Sequence, residues 1–396
     1  MTDIPLENLA TIIRGVTFSK SEGTSLPGEG LLPVIRAGSI QQSLLLDKDQ
    51  IWIPKERISK KQLLRKDDIV MCTSSGSSDL VGKCAKADQD WTGSFGAFCA
   101  GIRPDPELCD PSYLYHFLNS PRFRNWTKRS SGANIKNIRA SELAKFPVPK
   151  LSLKEQKRIA AILDKADAIR RKRQQAIQLA DEFLRSVFLD MFGDPVTNPK
   201  GWNMVALGKV CGVGSSKRVF VDELTDSGVP FFRGTEVGQL GDYEDISPRL
   251  FISEEHYEKL KKDSGVPKVG DLLLPSICHD GRIWKMDHEL PFYFKDGRVL
   301  WIKVDNKNVN SDYLRNHLKI LFLSNYSKIA SGTTFAELKI VNLKNLKILV
   351  PPLVLQKKYS EITCTARQIS DRHKRTLEQE VSLFHSLSQR AFRGDL

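Results

Sequence analysis

Gly76, Gly82 and Lys83 in "GSSDLVGKC" (residues 76–84) come close to a phosphate-binding loop. That chemistry needs the spacing G-x-x-x-x-G-K-[ST], which curls backbone N–H groups round phosphates and sets a hydroxyl on magnesium. The interval from Gly76 to Gly82 is one residue too long, and Cys84 replaces the hydroxyl, so an ATP site is excluded. His279 and Asp280 are adjacent in "SICHDGRIW" (276–284), but adjacency in sequence is no catalytic constellation. No G-x-S-x-G, H-E-x-x-H, paired-carboxylate or nuclease D…E-x-K pattern stands out. The seven cysteines (Cys72, Cys84, Cys99, Cys109, Cys211, Cys278 and Cys364) show no C-x-x-C, and with seven scattered histidines they form no zinc spacing. A reduced, cytoplasmic protein without a structural metal is expected. The N-terminal stretch lacks the pattern of a signal peptide, and no apolar run is long enough to span a membrane.

"DPSY" (110–113) is similar to the D-P-P-Y tetrad with which amino-methyltransferases hold a target amine. No F-x-G-x-G cofactor loop precedes it, "SFGAFCAG" (94–101) being a poor imitation. Two hundred residues on, the corresponding tetrad is "NSDY" (310–313), so the shared feature is an Asp or Asn that caps a helix ahead of a buried Tyr. The chain reads as non-enzymatic.

A net charge of +13 favours a polyanion as partner. The residues suited to DNA lie in polar, Gly-containing loops. In the first half they are Arg36 in "VIRAG", Thr73, Ser74, Ser75, Ser77 and Ser78 in "TSSGSSDLVGK", Lys83 and Lys86. Lys128, Arg129, Asn134, Lys136 and Asn137 follow in "KRSSGANIKNIR" (128–139). In the second half they are Lys217, Arg218, Arg233 in "FFRGT", His279, Arg282, Lys285, Lys328, Thr333 and Thr334. Hydroxyls, amides and cations of this kind meet phosphates and base edges, although each charge taken singly also fits a solvated surface.

Those loops must be held by elements that occur twice. Comparing each residue from 113 to 192 with the one 200 later gives 16 identities in 80 positions, against roughly 5 for unrelated sequence. They include Tyr113/Tyr313, Ser131/Ser331, Gly132/Gly332, Leu143/Leu343, Gln156/Gln356 and Phe192/Phe392. Each copy opens with short β-branched and aromatic runs between Gly, Pro, Asp and Ser, which predict a globular α+β or mainly β domain. Prolines close that domain and a long helix follows, giving segments 1–150, 151–193, 194–350 and 351–396. An alternating three- and four-residue spacing predicts a heptad seam through Ile159, Ile162, Ala166, Ile169, Phe183 and Val187. In the second copy it passes through Tyr359, Ile362, Ala366, Ile369, Leu383 and Leu387, with Arg173 and His373 as matching polar breaks. One such helix cannot bury its stripe alone; antiparallel pairing with its repeat-mate can. The basic run "RRKR" (170–173) is left for phosphates, a partner or solvent.

This organisation resembles the specificity (S) subunit of a type I restriction–modification enzyme. The family enters its helix through P-P-L-x-E-Q-x-x-I, matched here by "PKLSLKEQKRI" (149–159) and "PPLVLQKKYSEI" (351–362), with Leu355 departing from the usual Glu. The Ser-Gly followed by a Leu at 131, 132 and 143, its mates, and the terminal "SLSQRAFRGDL" (386–396) agree as well. The resemblance implies an α+β fold: two target recognition domains, an antiparallel coiled coil of the two long helices, and an internal two-fold pseudo-repeat of about 200 residues. It implies that each domain reads half of a bipartite DNA site, and that the helices set the gap. Two modification (M) subunits carrying S-adenosylmethionine would methylate adenine, and two restriction (R) subunits would use ATP and Mg. This chain would itself bind no cofactor. A basic coiled-coil scaffold and a self-contained DNA adenine methyltransferase are the alternatives.

Overall fold

The computed structural model describes residues 2–77, 79–129, 136–331 and 336–396, the side chains of Arg129 and Lys136 excepted. Ser78, Asn134, Thr333 and Thr334 lie outside the described residues. The chain divides into two units: Met1–Gln175 with Lys374–Leu396, and Ala176–His373.

In the first unit the strands are β1 (Asp3–Pro5), β2 (Ala10–Arg14), β3 (Leu31–Ile35), β4 (Ile51–Pro54), β5 (Ile69–Cys72), β6 (Ser74–Ser75), β7 (Cys84–Lys86), β8 (Ser94–Phe95), β9 (Cys99–Pro104), β10 (Lys136–Asn137) and β11 (Pro147–Pro149). The helices are α1 (Pro111–Leu118), α2 (Pro121–Arg129), α3 (Ala140–Ala144) and the start of α4 (Leu153–Phe192). An antiparallel sheet runs β2-β9-β5-β7; a smaller one runs β4-β3-β8, with β3 and β8 parallel. Strand β5 reads "IVMC" because both of its faces are covered. Ile69 and Met71 join a core with Tyr113, Phe117 and Phe146, whereas Val70 and Cys72 meet Ile35 and Phe95. Helix α1 starts where the capping reading puts it: Asp110 accepts the Tyr113 N–H at 2.9 Å, and Pro111 fills the first turn, where no donor is needed. The buried Tyr113 hydroxyl donates to the Pro149 carbonyl at 3.1 Å.

The second unit builds β12 (Met204–Ala206), β13 (Cys211–Gly214), β14 (Val229–Phe232), β15 (Phe251–Ile252), β16 (Leu272–Pro275), β17 (Trp284–Lys285), β18 (Tyr293–Phe294), β19 (Val299–Val304) and β20 (Lys347–Leu349). Its helices are the end of α4, α5 (Gly234–Gly241), α6 (Glu254–Ser264), α7 (Ser311–Ile329), α8 (Ile340–Asn345) and the first half of α9 (Leu353–Arg393). The sheets run β13-β19-β16-β17 and β15-β14-β18, with β14 and β18 parallel. Asn310 caps α7 by accepting the Tyr313 N–H at 3.1 Å, and the Tyr313 hydroxyl donates to Leu349 at 2.9 Å.

The helices place their buried stripe differently from the heptad reading. After Ile159 the stripe takes a four-residue step first, through the buried Leu163 and the half-buried Ala166, Arg170, Arg173, Ile177, Ala180 and Leu184. After Tyr359 it likewise runs through Thr363, Ala366, Ser370, His373, Leu377, Glu380 and Phe384. Ile162, Ile362, Val187 and Leu387 are half-buried at its margin. Ile169, Phe183, Ile369 and Leu383 are exposed, at 45%, 53%, 51% and 57%. The physical reason is phase. A three–four alternation does not say which step comes first, and here the packing decides by burying Leu163 in the first unit and Thr363 in the second.

Candidate nucleic-acid interface

In the first unit the loops that follow β3, β5 and β8 converge. A cavity of about 1060 Å3 is lined by Arg36, Asp49, Trp52 and Phe98, among others. A hollow of about 480 Å3 shares Arg36, Asp49 and Phe98 and adds Ser74 and Ser75. The fold thus brings Arg36, Ser74 and Ser75 into one place, and the pairing of β6 with β10 sets Asn137 opposite Ser74 and Lys136 opposite Ser75. A small set of backbone bonds fixes that place. The N–H and Oγ1 of Thr73 both donate to the Phe98 carbonyl, at 2.9 and 3.1 Å, and Ile138 N–H donates to the Thr73 carbonyl at 2.8 Å. The Phe98 ring itself is 68% exposed. Beneath it, burial and then the neighbouring Cys72 push the Cys99 thiol up to about 12, so it stays protonated and is no nucleophile.

The remaining first-unit candidates separate. Ser77 is exposed and its N–H donates to Ser75 Oγ at 3.1 Å. Lys83 donates to Gln41 at 2.9 Å. Lys86 turns inward to Ser112 at 2.8 Å, with Asp67 at 3.5 Å. Lys128 is exposed at the end of α2.

The second unit repeats the framework with other side chains. Ser276 N–H donates to the Arg298 carbonyl at 2.9 Å, and Leu338 N–H to the Ser276 carbonyl at 2.7 Å. Arg298 therefore stands where Phe98 stands, and its side chain is 63% exposed. Its Nη1 donates to Glu337 Oε1 at 2.9 Å, an oxygen that also accepts from Ser276 Oγ at 2.8 Å. Arg233 is tied back to Glu236 at 2.9 Å. Burial pushes the Glu236 carboxyl up, but the hydrogen bond from Arg233 and further bonds outweigh it and leave it below the usual carboxylate range. Lys217 pairs with Asp263 at 2.9 Å, Arg218 with Asp296 at 3.0 Å and Arg282 with Asp280 at 2.6 Å. Lys285 turns inward to Asp312 at 2.7 Å, as Lys86 does to Ser112. His279 and Lys328 are exposed, the His279 ring lying 6.3 Å from that of Tyr326.

Phe98, Arg298 and Glu337 were not among the sequence candidates. The 200-residue offset pairs Phe98 directly with Arg298, and a contrast of aromatic against cation at one repeat position was the available signal. Among the described residues no His, Cys, Asp and Glu group converges as a metal site, and no helix is long and apolar enough to cross a membrane.

A model of the type I restriction modification DNA specificity domain matches residues 1–179 and again 199–381. The chain belongs to this family. Its members are the non-catalytic recognition subunits of type I restriction–modification systems. The chain is 27% identical over 423 residues to the type I restriction enzyme StySPI specificity subunit of Salmonella potsdam, covering 99% of this chain and 88% of that protein. It is 27% identical over 424 residues to the EcoKI specificity subunit of Escherichia coli K12, with the same coverage of 99% and 88%. The S subunit of a type I system from M. genitalium shares the fold at a TM-score of 0.59 and 17% identity, over 99% of this chain and 96% of that one. Within the family, Gln156 and Gln356 acquire a reason. The Gln156 amide bonds the backbone just before α1 and the Gln356 amide the backbone just before α7, so each long helix is locked to the domain it leaves.

Proposed function

We propose that this specificity subunit reads a two-part DNA site, the first unit one half and the second unit the other, while the two long helices set the number of unread base pairs between them. The observation that carries the reading is the duplicated framework: the same backbone bonds hold Phe98 in one unit and Arg298 in the other. A scaffold built twice, with different chemistry at its exposed tip, suits two different half-sites. Phosphate contacts from surface lysines such as Lys128 and Lys328 supply affinity and register, while side chains round Arg36, Ser74 and Asn137 discriminate bases.

The helix pair is an antiparallel coiled coil made by an internal pseudo-repeat. In the first unit Arg170 lies over the Phe384 ring at 5.3 Å, and Arg173 meets Glu380 through two contacts of 2.9 Å, so residue numbers rise on one helix as they fall on the other. The outward Ile169 and Leu383 of the first unit, and Phe183 and Ile369 of the second, are the docking points for two modification subunits. Helix α9 buries Thr363 and Ser370 yet exposes Ile369, the reverse of what a helix with only water outside would do. S-adenosylmethionine then belongs to the modification subunits, which methylate adenine, and ATP with Mg to two restriction subunits, all in the cytoplasm.

Mapping methylated adenines genome-wide, with and without the gene, tests this. A two-part motif with a fixed gap should vanish on deletion. Removing one heptad from each long helix should change the gap and leave both half-sites intact; an altered half-site with an unchanged gap would defeat the ruler.

A further inference from the structure

We infer that Phe98 and Arg298 are the paired specificity determinants of the two half-sites, Phe98 selecting an A·T pair and Arg298 a G·C pair. The inference rests on the DNA-reading role proposed above. Three observations lead to it.

The first is rigidity. A residue that discriminates bases must project from backbone that does not yield, because a bond that can swing accepts any base. Phe98 and Arg298 each offer their carbonyl to the strand end beside them (Thr73 in one unit, Ser276 in the other), and each starts a run of buried sheet at Cys99 or Val299. The second is exposure. At 98 and 298 a large side chain is exposed in each unit, 68% for Phe98 and 63% for the Arg298 side chain, the latter tethered to Glu337. Beside them Ile138 and Leu338 are buried, at 3% and 1%. The third is chemistry. The two side chains differ as much as two readers can.

Arg298 is presented as a fork. One donor, Nη1, is anchored on Glu337, whose carboxylate is in turn held by Ser276 Oγ, so one arm of the guanidinium is tethered before any base arrives. A guanidinium so oriented matches the two acceptors of guanine, O6 and N7, in the major groove. Phe98 offers no donor. Its ring, beside Arg36 and Ser74, meets the one apolar group that a base edge displays, the thymine methyl. Asn137, opposite Ser74, adds an amide of the type that pairs with adenine. The neighbours follow the same division: where the first unit has Asn137 the second has Glu337, a residue used to aim Arg298 instead of to read.

The test is selection of bound duplexes from a randomised library, using the full-length chain assembled with its modification subunits. Wild type, Phe98→Ala, Arg298→Ala and Arg298→Lys are compared, with melting curves to confirm folding. Both side chains are exposed, so the variants should fold as wild type does. Phe98→Ala should lower the preference for one A·T pair in one half by about ten-fold, and Arg298→Ala should lower that for one G·C pair in the other half by about ten-fold or more. Arg298→Lys should retain only part of the guanine preference, since a single ammonium lacks the fork. If both alanine variants select the wild-type motif unchanged, or if each relaxes positions in both halves, the assignment falls while the reading of a bipartite site stands. If wild type itself selects no motif, that reading fails and takes this assignment with it.

Discussion

The side-chain oxygen of Gln156 accepts the backbone N–H of Asp110 at 2.9 Å, and its amide nitrogen donates to the carbonyls of Leu108 and Leu151, each at 3.0 Å. One buried amide, 1% exposed, thus joins the start of α1 to the start of α4. Gln356 does the same for Asn310 and Pro351, at 2.8 and 2.7 Å. Replacing either glutamine by alanine strands several buried polar groups, at a cost of about 2–4 kcal/mol. Urea unfolding of the full chain should show Q156A destabilising the first unit and Q356A the second; a loss below about 0.5 kcal/mol in both would remove this role.

Lys285 and Lys217 look alike in the sequence and should behave differently. Lys285 is 18% exposed and bonded to Asp312. Burial pushes the Asp312 carboxyl up, and the bonds from Lys285 and Ser360 with the charges of Lys285 and Arg367 reverse that and hold it below the usual range. Removing Lys285 leaves this carboxylate with Ser360 and Arg367, and K285A should cost about 1–3 kcal/mol. Lys217 faces Asp263 from an exposed position, and K217A should change stability by less than about 0.5 kcal/mol. Thermal melting separates the two.

The outward residues of the long helices should matter only when partners are present. I169S with L383S, and F183S with I369S, leave positions that are already in water, so each pair should alter the stability of the isolated chain by less than about 1 kcal/mol. Binding to the modification subunit should weaken by about ten-fold or more, as expected when apolar anchors are removed from an interface. Unchanged affinity in titration calorimetry would place the docking surface elsewhere.

His317 predicts a pH dependence in the second unit. Burial holds this imidazole down at about 3, against an ordinary 6.5. Between those values the unfolded chain binds a proton that the folded chain refuses. The stability is therefore fully present above pH 6.5 and is lost as pH falls, at up to about 1.4 kcal/mol per pH unit. H317L should show a shallower loss of stability between pH 7 and 5 than wild type. The first unit carries Phe117 at the matching position, so this contribution is absent there.

Parts of the fold and of the candidate site were legible because short patterns recur two hundred residues apart. The caps at Asp110 and Asn310, the buried Tyr113 and Tyr313 and the long helices all follow from local rules of capping and periodicity. Arg36, Ser74 and Ser75 were identifiable as polar loop residues, and they do meet in one cavity. Local rules ran out where a side chain finds its partner far along the chain. Lys285 reaches an aspartate 27 residues away, and Lys217 one 46 residues away, and no spacing announces either bond.

The amino-acid sequence by itself determined the two-domain organisation, the family and the absence of a recognisable catalytic motif, because these rest on repeated identities and short-range patterns. Tertiary structure decided the phase of the helices, turning Ile169, Phe183, Ile369 and Leu383 outward, and it decided which cations are consumed inside the fold. It also decided that Phe98 and Arg298 occupy one equivalent exposed position. A heptad pattern fixes a period and leaves the rotation of the helix to whatever core it meets. The fate of a charge likewise depends on which distant carboxylate the fold delivers to it.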